Sequence, residues 1–405
     1  MTETAAVTRE QELPIHMRRD AFDPAPELAE LRDGPGIGRI RTPFGLEGWM
    51  VTRFADVREV LSDSERFSNF RVSELRRPPG FEDVSEEELA RMRAGNLLVF
   101  DPPDHTRLRR LLTPEFTVRR MRRLEPRISE IVEEHLDAME RSGPPADLVS
   151  DFALPVPSLV ICELLGVPYS DRAEFQERST KLLDLSVPAE ERIQASRESR
   201  DYMADLVKGA QADPGEDMLG MLVREHGDEL SFDELCGIAS LLLIAGHETT
   251  ANMLGLGTLA LLRHPEQLAL LRAEPERVDA AVEELLRWLS IVHSGTGKIT
   301  TTDVEIAGQK IAAGEFVMCA LPAANRDPEL LSDPDKLDIT RGAMGHLAFG
   351  HGIHHCLGAP LARMEMRIAF PALLQRFPGL RTTDAEPGFR SFNVIYGLIS
   401  LPIAW

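Results

Sequence analysis

With 405 residues, 43% of them hydrophobic, the chain can bury a large core, and length alone allows two or three domains. A formal charge of −21 argues against general nucleic-acid binding and favours solubility. Four widely spaced cysteines argue against a disulfide framework and fit a reducing cytoplasm, and the opening MTETAAVTREQELPIHMRRD has neither an apolar h-region nor an anchor, so secretion and membrane attachment are not expected.

Residues 22–64 alternate helix-like runs with one strand candidate, Gly48 to Phe54. From Asn69 to Asn96 the text turns to Arg, Pro, Gly and Glu, and Pro78, Pro79 and Gly80 break any helix. A long irregular loop inside a compact domain is often functional. Phe100 to Leu124 then carries seven arginines. His105 and Arg109 are four apart and share a helical face, and an arginine fork suits a carboxylate. Arg107, Arg110, Arg119, Arg120, Arg122 and Arg123 form either a solvated face or a docking patch for an acidic partner.

From Pro126 to Lys208 the period is helical, with starts near Asp147 and Ser170, an interruption at Ser186 to Pro188, and Cys162 as a core residue. Ser231, with Glu234 three residues on, opens a run to His264 in a capping-box pattern. That run is apolar all round from Leu235 to Leu262 and spans about 50 Å. A membrane span is rejected because Gly246, His247, Glu248, Thr249, Thr250 and Asn252 fall in its middle, where ionisable groups are expensive. They form either a buried structural network or a place where Thr249 disturbs the helical ladder and, with Glu248, holds water beside a reacting ligand.

Two helices follow Pro265, the second placing Glu284 and Arg287 three apart on one face. Lys298 to Asn325 alternates β-branched and polar residues around turns at Ala307-Gly308 and Ala313-Gly314, a small sheet. The C-terminal FNVIYGLISLPIAW reads as a hairpin.

Between these last two stretches lies FGHGIHHCLGAPLAR, Phe349 to Arg363. A helix is read from Leu357, Leu361, Met364, Ile368 and Leu373, with Arg363, Glu365 and Arg367 opposite, so Cys356 stands at a helix N-terminus that favours a thiolate. Gly352 and Gly358 let amides approach the sulfur, and Phe349 covers it. Three readings compete: a small buried hydrophobe, a zinc ligand with His346, His351, His354 and His355, or an iron ligand. The stretches around Cys162, Cys236 and Cys319 offer zinc no paired unit.

Phe349, Gly350, Gly352, His354, Cys356 and Gly358 complete Phe-Gly-x-Gly-x-His-x-Cys-x-Gly, which resembles the haem-binding signature of the cytochrome P450 family. AGHETT resembles the oxygen-activation element of that family, with Glu where many members have Asp, and the His-x-x-x-Arg and Glu-x-x-Arg elements stand in family order. The resemblance implies one domain over residues 1–405, mainly α with small β-sheets: a triangular helical prism with a smaller β-rich region from the N-terminal and late chain. Haem b, iron protoporphyrin IX, lies between the long central helix and the cysteine helix, with no other metal.

Carried over residue by residue, Cys356 is the axial iron ligand, and Phe349, Gly350, His354 and Gly358 surround it. His105 and Arg109 hold the propionates, and Lys298 stands as a weaker propionate contact where arginine is usual. Ala245 and Gly246 border the haem, Gly246 leaving room for dioxygen. Glu248 relays protons and Thr249 hydrogen-bonds the bound oxygen. Glu284 and Arg287 form a buried structural pair. Its usual arginine partner is replaced by Pro334, Asp335, Lys336 and Leu337, which leaves Lys336 or Arg341 as substitutes. Residues 70–98, 178–192, 290–297 and 392–395 fall where the family contacts substrate.

The implied activity is monooxygenation, hydroxylating or epoxidising a small hydrophobic substrate with dioxygen. Electrons come from a ferredoxin and ferredoxin reductase fed by NADH or NADPH, in a cytoplasmic monomer. ALPVPSLVICELLGVP and LLLIAGHETT are similar to actinobacterial members acting on polyketides, macrolides and terpenoids. The alternatives are a haem protein that only binds or senses a ligand, against which the Glu248 and Thr249 pair weighs, and peroxide-driven oxidation, against which the arginine cluster weighs.

Overall fold

The computed structural model describes residues 13–42, 45–75, 84–294, 296–342 and 345–405. Its longest helix starts as its sequence dictates: Ser231 Oγ accepts from Glu234 N at 3.2 Å and Glu234 Oε2 accepts from Ser231 N at 2.8 Å, which satisfies two orphan donors reciprocally. This central helix runs Phe232–Arg263 and stops ahead of Pro265. Being apolar on every side, it must be wrapped by other helices: Pro155–Leu165, Ala189–Ala212, Val278–Leu289 and the cysteine helix Ala359–Arg376 all pack on it. Full burial of Leu256, Leu259 and Leu261 contributes about 2 kcal/mol each. Among the described residues no helix is long and apolar enough to cross a membrane.

Pro155–Leu165 leaves only Glu163 outside the core, and Cys162 is fully buried with its thiol pKa pushed up to about 12 by burial, a core residue as read. The expected starts shift slightly. Asp147 Oδ1 accepts from Val149 N at 3.0 Å and from Leu401 N at 2.8 Å, pinning a π-turn, Val149–Ala153, ahead of that helix. The next helix is Arg172–Leu183, and the chain breaks at Asp184 to Pro188 before Ala189–Ala212.

The β-rich part joins early and late chain in a five-stranded sheet ordered Ile37–Arg41, Glu47–Val51, Phe316–Cys319, Gly297–Thr300, Phe67–Ser68. Phe316–Cys319 lies parallel to Glu47–Val51, and the remaining pairs are antiparallel. The strand expected at Gly48 to Phe54 ends earlier, because Asp327 Oδ2 accepts from Phe54 N at 2.8 Å and starts the helix Phe54–Ser62. Val304–Ile306 and Gln309–Ile311 pair around the expected turn, with Ala307 and Gly308 at φ 49° and 77°. The hairpin expected within FNVIYGLISLPIAW is replaced by a last hairpin of Gly388–Arg390 with Gly397–Ser400, and Pro402–Ala404 pairs instead with Arg381–Thr382 and Ala146–Asp147.

Two expectations need correction. The stretch from Asn69 to Asn96 contains helices Phe70–Leu75 and Glu86–Arg93. The second is capped by Ser85 Oγ accepting from Glu88 N at 3.1 Å, with acids in its first turn and arginines in its last, signals that outweigh nearby Pro and Gly. Pro78, Pro79 and Gly80 lie outside the described residues, as do residues 1–12 at the opening and Gly295. On the cysteine helix, Glu365 faces inward and is 1% exposed, because Glu125–Ser142, Val278–Leu289 and the central helix enclose that helix from several sides.

Candidate active site

The loop before the cysteine helix is shaped by two glycines in the left-handed region, Gly350 at φ 71° and Gly352 at φ 70°. A Cβ on Gly352 would lie 2.5 Å from Leu61 O, so the loop sits directly on the Phe54–Ser62 helix. Cys356 N donates to Phe349 O at 2.9 Å and closes the turn. Phe349 itself stacks beside His346 and His355, with the Arg363 guanidinium 4.5 Å from its ring.

Cys356 lies deep in the molecule, yet its side chain opens onto an interior cleft. Burial pushes its thiol pKa up; the Gly358 amide, the Arg109 and Arg363 guanidinium groups and the Ala359 amide pull it down. The helix begins at Ala359 rather than Leu357, so these amides belong to its first turn. Burial outweighs them. The first-turn amides thus favour the thiolate without offsetting burial, and a bound metal cation would ionise the sulfur outright.

Around that cleft gathers a set of basic groups. His105 and Arg109 sit one turn apart on Asp104–Leu112, and the His105 ring lies 4.3 Å from that of His354, centroid to centroid. Among the described residues neither ring has a hydrogen-bond partner at either nitrogen. Burial pushes His354 down to about 3 and lowers His105, and Lys298 and Arg109 add positive field at both. Lys298 is 3% exposed, its pKa lowered by burial. A buried polar group left unpaired costs about 1–3 kcal/mol. Such a cluster fits an anionic group, and two carboxylates on a ring ligated at Cys356 meet that requirement.

The central helix supplies a stripe of open positions in an otherwise buried rod: Leu241, Ala245 and Thr249 at four-residue spacing, with Ile244 beside them. Thr249 Oγ1 donates to Ala245 O at 2.9 Å, and the helix continues unbroken, so the expected disturbance of the ladder is confined to this one bond. Gly246 differs from expectation. A Cβ there would lie 2.6 Å from Ile161 Cδ1, so this glycine makes room for the Pro155–Leu165 helix, and Ala245 makes the room beside Thr249.

Comparison with known proteins decides the family. A Cytochrome P450 family model matches residues 189–384. The chain is 53% identical over 395 residues to Cytochrome P450 FAS1 of Rhodococcoides fascians, covering 97% of this chain and 99% of that protein. This chain belongs to the cytochrome P450 family. It is 46% identical to pentalenic acid synthase of Streptomyces avermitilis over 95% of each chain. It also superposes on CYP105P1 in complex with filipin I with a TM-score of 0.87 at 41% identity, covering 96% of this chain and 97% of that one. The helix-rich fold is thus the cytochrome P450 fold, and the protein is a haem-iron monooxygenase that uses dioxygen and redox partners.

Within this cytochrome P450, Arg287 Nε and Nη2 each donate to Glu284 at 2.8 Å, with both side chains fully buried. Of the two candidate third members, Arg341 Nε approaches Glu284 Oε1 at 4.0 Å, whereas Lys336 offers only its carbonyl, 3.4 Å from Arg287 Nη2. A neighbouring network escaped the sequence reading. Glu283 accepts from Arg363 Nε and Nη2 at 2.6 and 2.8 Å, and His346 Nε2 lies 3.2 Å away. His351 meets Arg58, and among the described residues no three metal-ligating groups converge.

Three of the segments assigned by position to substrate contact meet through backbone hydrogen bonds. Leu185 N donates to Phe392 O and Val394 N to Leu183 O, both at 3.0 Å, and Tyr396 N donates to Ile291 O at 2.9 Å. Phe392 and Val394 alternate with buried Asn393 and Ile395.

The arginine patch shrinks. Arg107 pairs with Glu234, Arg110 with Glu229 at 2.9 Å and Arg120 with Glu115 at 2.7 Å. Arg119, Arg122 and Arg123 remain exposed, with no ion pair among the described residues.

Proposed function

We propose that this cytochrome P450 hydroxylates or epoxidises a small hydrophobic secondary metabolite of the polyketide, macrolide or terpenoid kind, with haem b as its cofactor. Cys356 would hold the haem iron through its sulfur, which the first-turn amides of Gly358 and Ala359 contact within the loop built by Phe349 and Gly350. His105, Arg109, His354 and Lys298 hold the propionates. The observation that carries this reading is the pair of His105 and His354 rings, whose buried nitrogens have no hydrogen-bond partner among the described residues, together with the buried Lys298 beside the cysteine cleft. Bound there, the haem supplies dioxygen activation of the kind that thiolate ligation promotes.

The protein groups bind the substrate and manage its protons. Thr249 donates its hydroxyl proton to Ala245 O, so its lone pairs can accept from a water in the open stripe. Glu248 is the acid that would take a proton from solvent and pass it to that water. Leu241, Ile244, Ala245, Val292, Phe392 and Val394 present apolar surface, which suits an apolar substrate. The names of two relatives, pentalenic acid synthase and a complex with filipin I, point the same way.

Electrons enter from a ferredoxin and its NADH- or NADPH-fed reductase, at a surface centred on Arg119, Arg122 and Arg123. The chain acts as one domain, a monomer in the cytoplasm. The test is a substrate-induced spectral screen of such metabolites, followed by turnover with ferredoxin, reductase and reduced nicotinamide. Product formed in step with electron consumption is expected; binding without product under those conditions would instead identify a ligand sensor.

A further inference from the structure

Glu248 is 1% exposed, and its two oxygens are taken by two different elements. Oε2 accepts from Arg390 Nη1 at 3.1 Å, on the strand Gly388–Arg390 of the last hairpin. Oε1 accepts from Thr180 Oγ1 at 3.2 Å, on the helix Arg172–Leu183. Those two elements are themselves joined by the Leu185–Phe392 and Val394–Leu183 backbone bonds. One further polar side chain faces the carboxylate. His247 Nδ1 donates to Leu243 O at 2.6 Å, leaving Nε2 as a bare lone pair 3.8 Å from Glu248 Oε1.

The cavity beside Glu248 and Arg390 measures about 10 Å³ and is otherwise lined by Val149, Leu154, Ala251, Asn252, Gly255 and Leu398. That is room for one water at most. Glu248 and Thr249 share no hydrogen bond: one is turned to the hairpin and the Arg172–Leu183 helix, the other to Ala245 O. For Glu248 to pass a proton toward Thr249, Arg390 and Thr180 have to let go.

We propose that Arg390 and Thr180 are positioning residues that latch Glu248, so that proton supply depends on where the substrate-contacting hairpin and the Arg172–Leu183 helix sit. The proposal rests on the reading of Glu248 as the proton-supplying acid. Substrate seated against Phe392 to Ile395 moves the hairpin, and the hairpin carries Arg390 with it.

The test uses the haem-loaded enzyme and four variants, Arg390→Gln, Arg390→Lys, Thr180→Val and Glu248→Gln. Amide hydrogen exchange at Leu185, Val394 and Tyr396 is expected to speed up about tenfold in Arg390→Gln, the scale of one charge-assisted hydrogen bond. Glu248→Gln should match it, Arg390→Lys should recover most of the protection, and a further variant combining Arg390→Gln with Glu248→Gln should add nothing. Thr180→Val should give a smaller change of the same sign. Arg390→Gln should also keep its substrate-induced spectral shift while losing more than half of its coupling of electrons to product, because an unlatched Glu248 passes protons whether or not substrate has moved the hairpin. If Glu248→Gln leaves coupling unchanged, the proton-supply reading fails. If Glu248→Gln uncouples while Arg390→Gln changes neither exchange nor coupling, or changes exchange alone, the latch fails and the acid stands.

Discussion

Arg363 grips Glu283 through two hydrogen bonds of 2.6 and 2.8 Å, tying the cysteine helix to Val278–Leu289 seven residues after the sulfur. Burial on its own would raise the Glu283 carboxyl; Arg363 and His346 reverse this and hold it at about 2. The folded value lies below the unfolded one of about 4.3, so the stability this group contributes is fully present above that value. It is lost as pH falls toward 2. Arg363→Ala is therefore expected to cost about 3 kcal/mol near neutral pH and to move acid unfolding and haem release to higher pH. Acid titration followed by haem absorbance and circular dichroism checks both; an acid midpoint unmoved by the substitution contradicts the assignment.

Cys356→His is expected to abolish the thiolate-type spectrum of the reduced carbon monoxide complex. A spectrum like that of the parent protein would remove Cys356 as the iron ligand.

Thr249→Ala removes the hydroxyl on Ala245 O without opening a buried polar hole, because position 249 borders the cleft. Haem content and substrate affinity should stay within about twofold, with electrons diverted from product to peroxide. Parallel measurement of nicotinamide consumed, product and peroxide decides the point. Unchanged coupling counts against any part for Thr249 in proton handling.

Lys298 is buried with no acceptor in hydrogen-bond distance among the described residues, so its replacement should have opposite signs in two states. Lys298→Met should stabilise haem-free protein by relieving a charge that burial disfavours. The same change should speed haem loss from the loaded protein. Denaturant unfolding with and without haem tests this, and a like-signed change in both states would take Lys298 out of the propionate contacts.

Arg119, Arg122 and Arg123 separate from Arg107 and Arg110 by what they touch. Neutralising the first three should slow reduction by ferredoxin, with a difference that shrinks as salt rises, and leave unfolding unchanged. Neutralising Arg107 should instead loosen the start of the central helix, since it pairs with the capping residue Glu234. Stopped-flow reduction across ionic strength distinguishes the two groups.

Much of the site was legible because its chemistry is contiguous in the chain. The capping box at Ser231, the i,i+3 pair of Glu284 with Arg287, the two-residue turn at Ala307-Gly308 and the glycine-framed Cys356 loop each depend on offsets of a few residues, which helix and turn geometry convert directly into contacts. Gly246 shows where such reading stops. Its motif is local, but the neighbour that requires a glycine there, Ile161, comes from another helix.

The amino-acid sequence by itself determined the family, the cysteine, the acid and alcohol on the central helix, and the basic residues that surround the cleft. Tertiary structure alone decided that Glu283 meets Arg363 across 80 residues, that Glu248 meets Arg390 across 142, and that His105 and His354 lie together with no hydrogen-bond partner among the described residues. The reason is physical: backbone geometry sets neighbours within a turn or two, while the rotation at which one helix packs on another selects which distant side chain fills a buried carboxylate's last hydrogen bond.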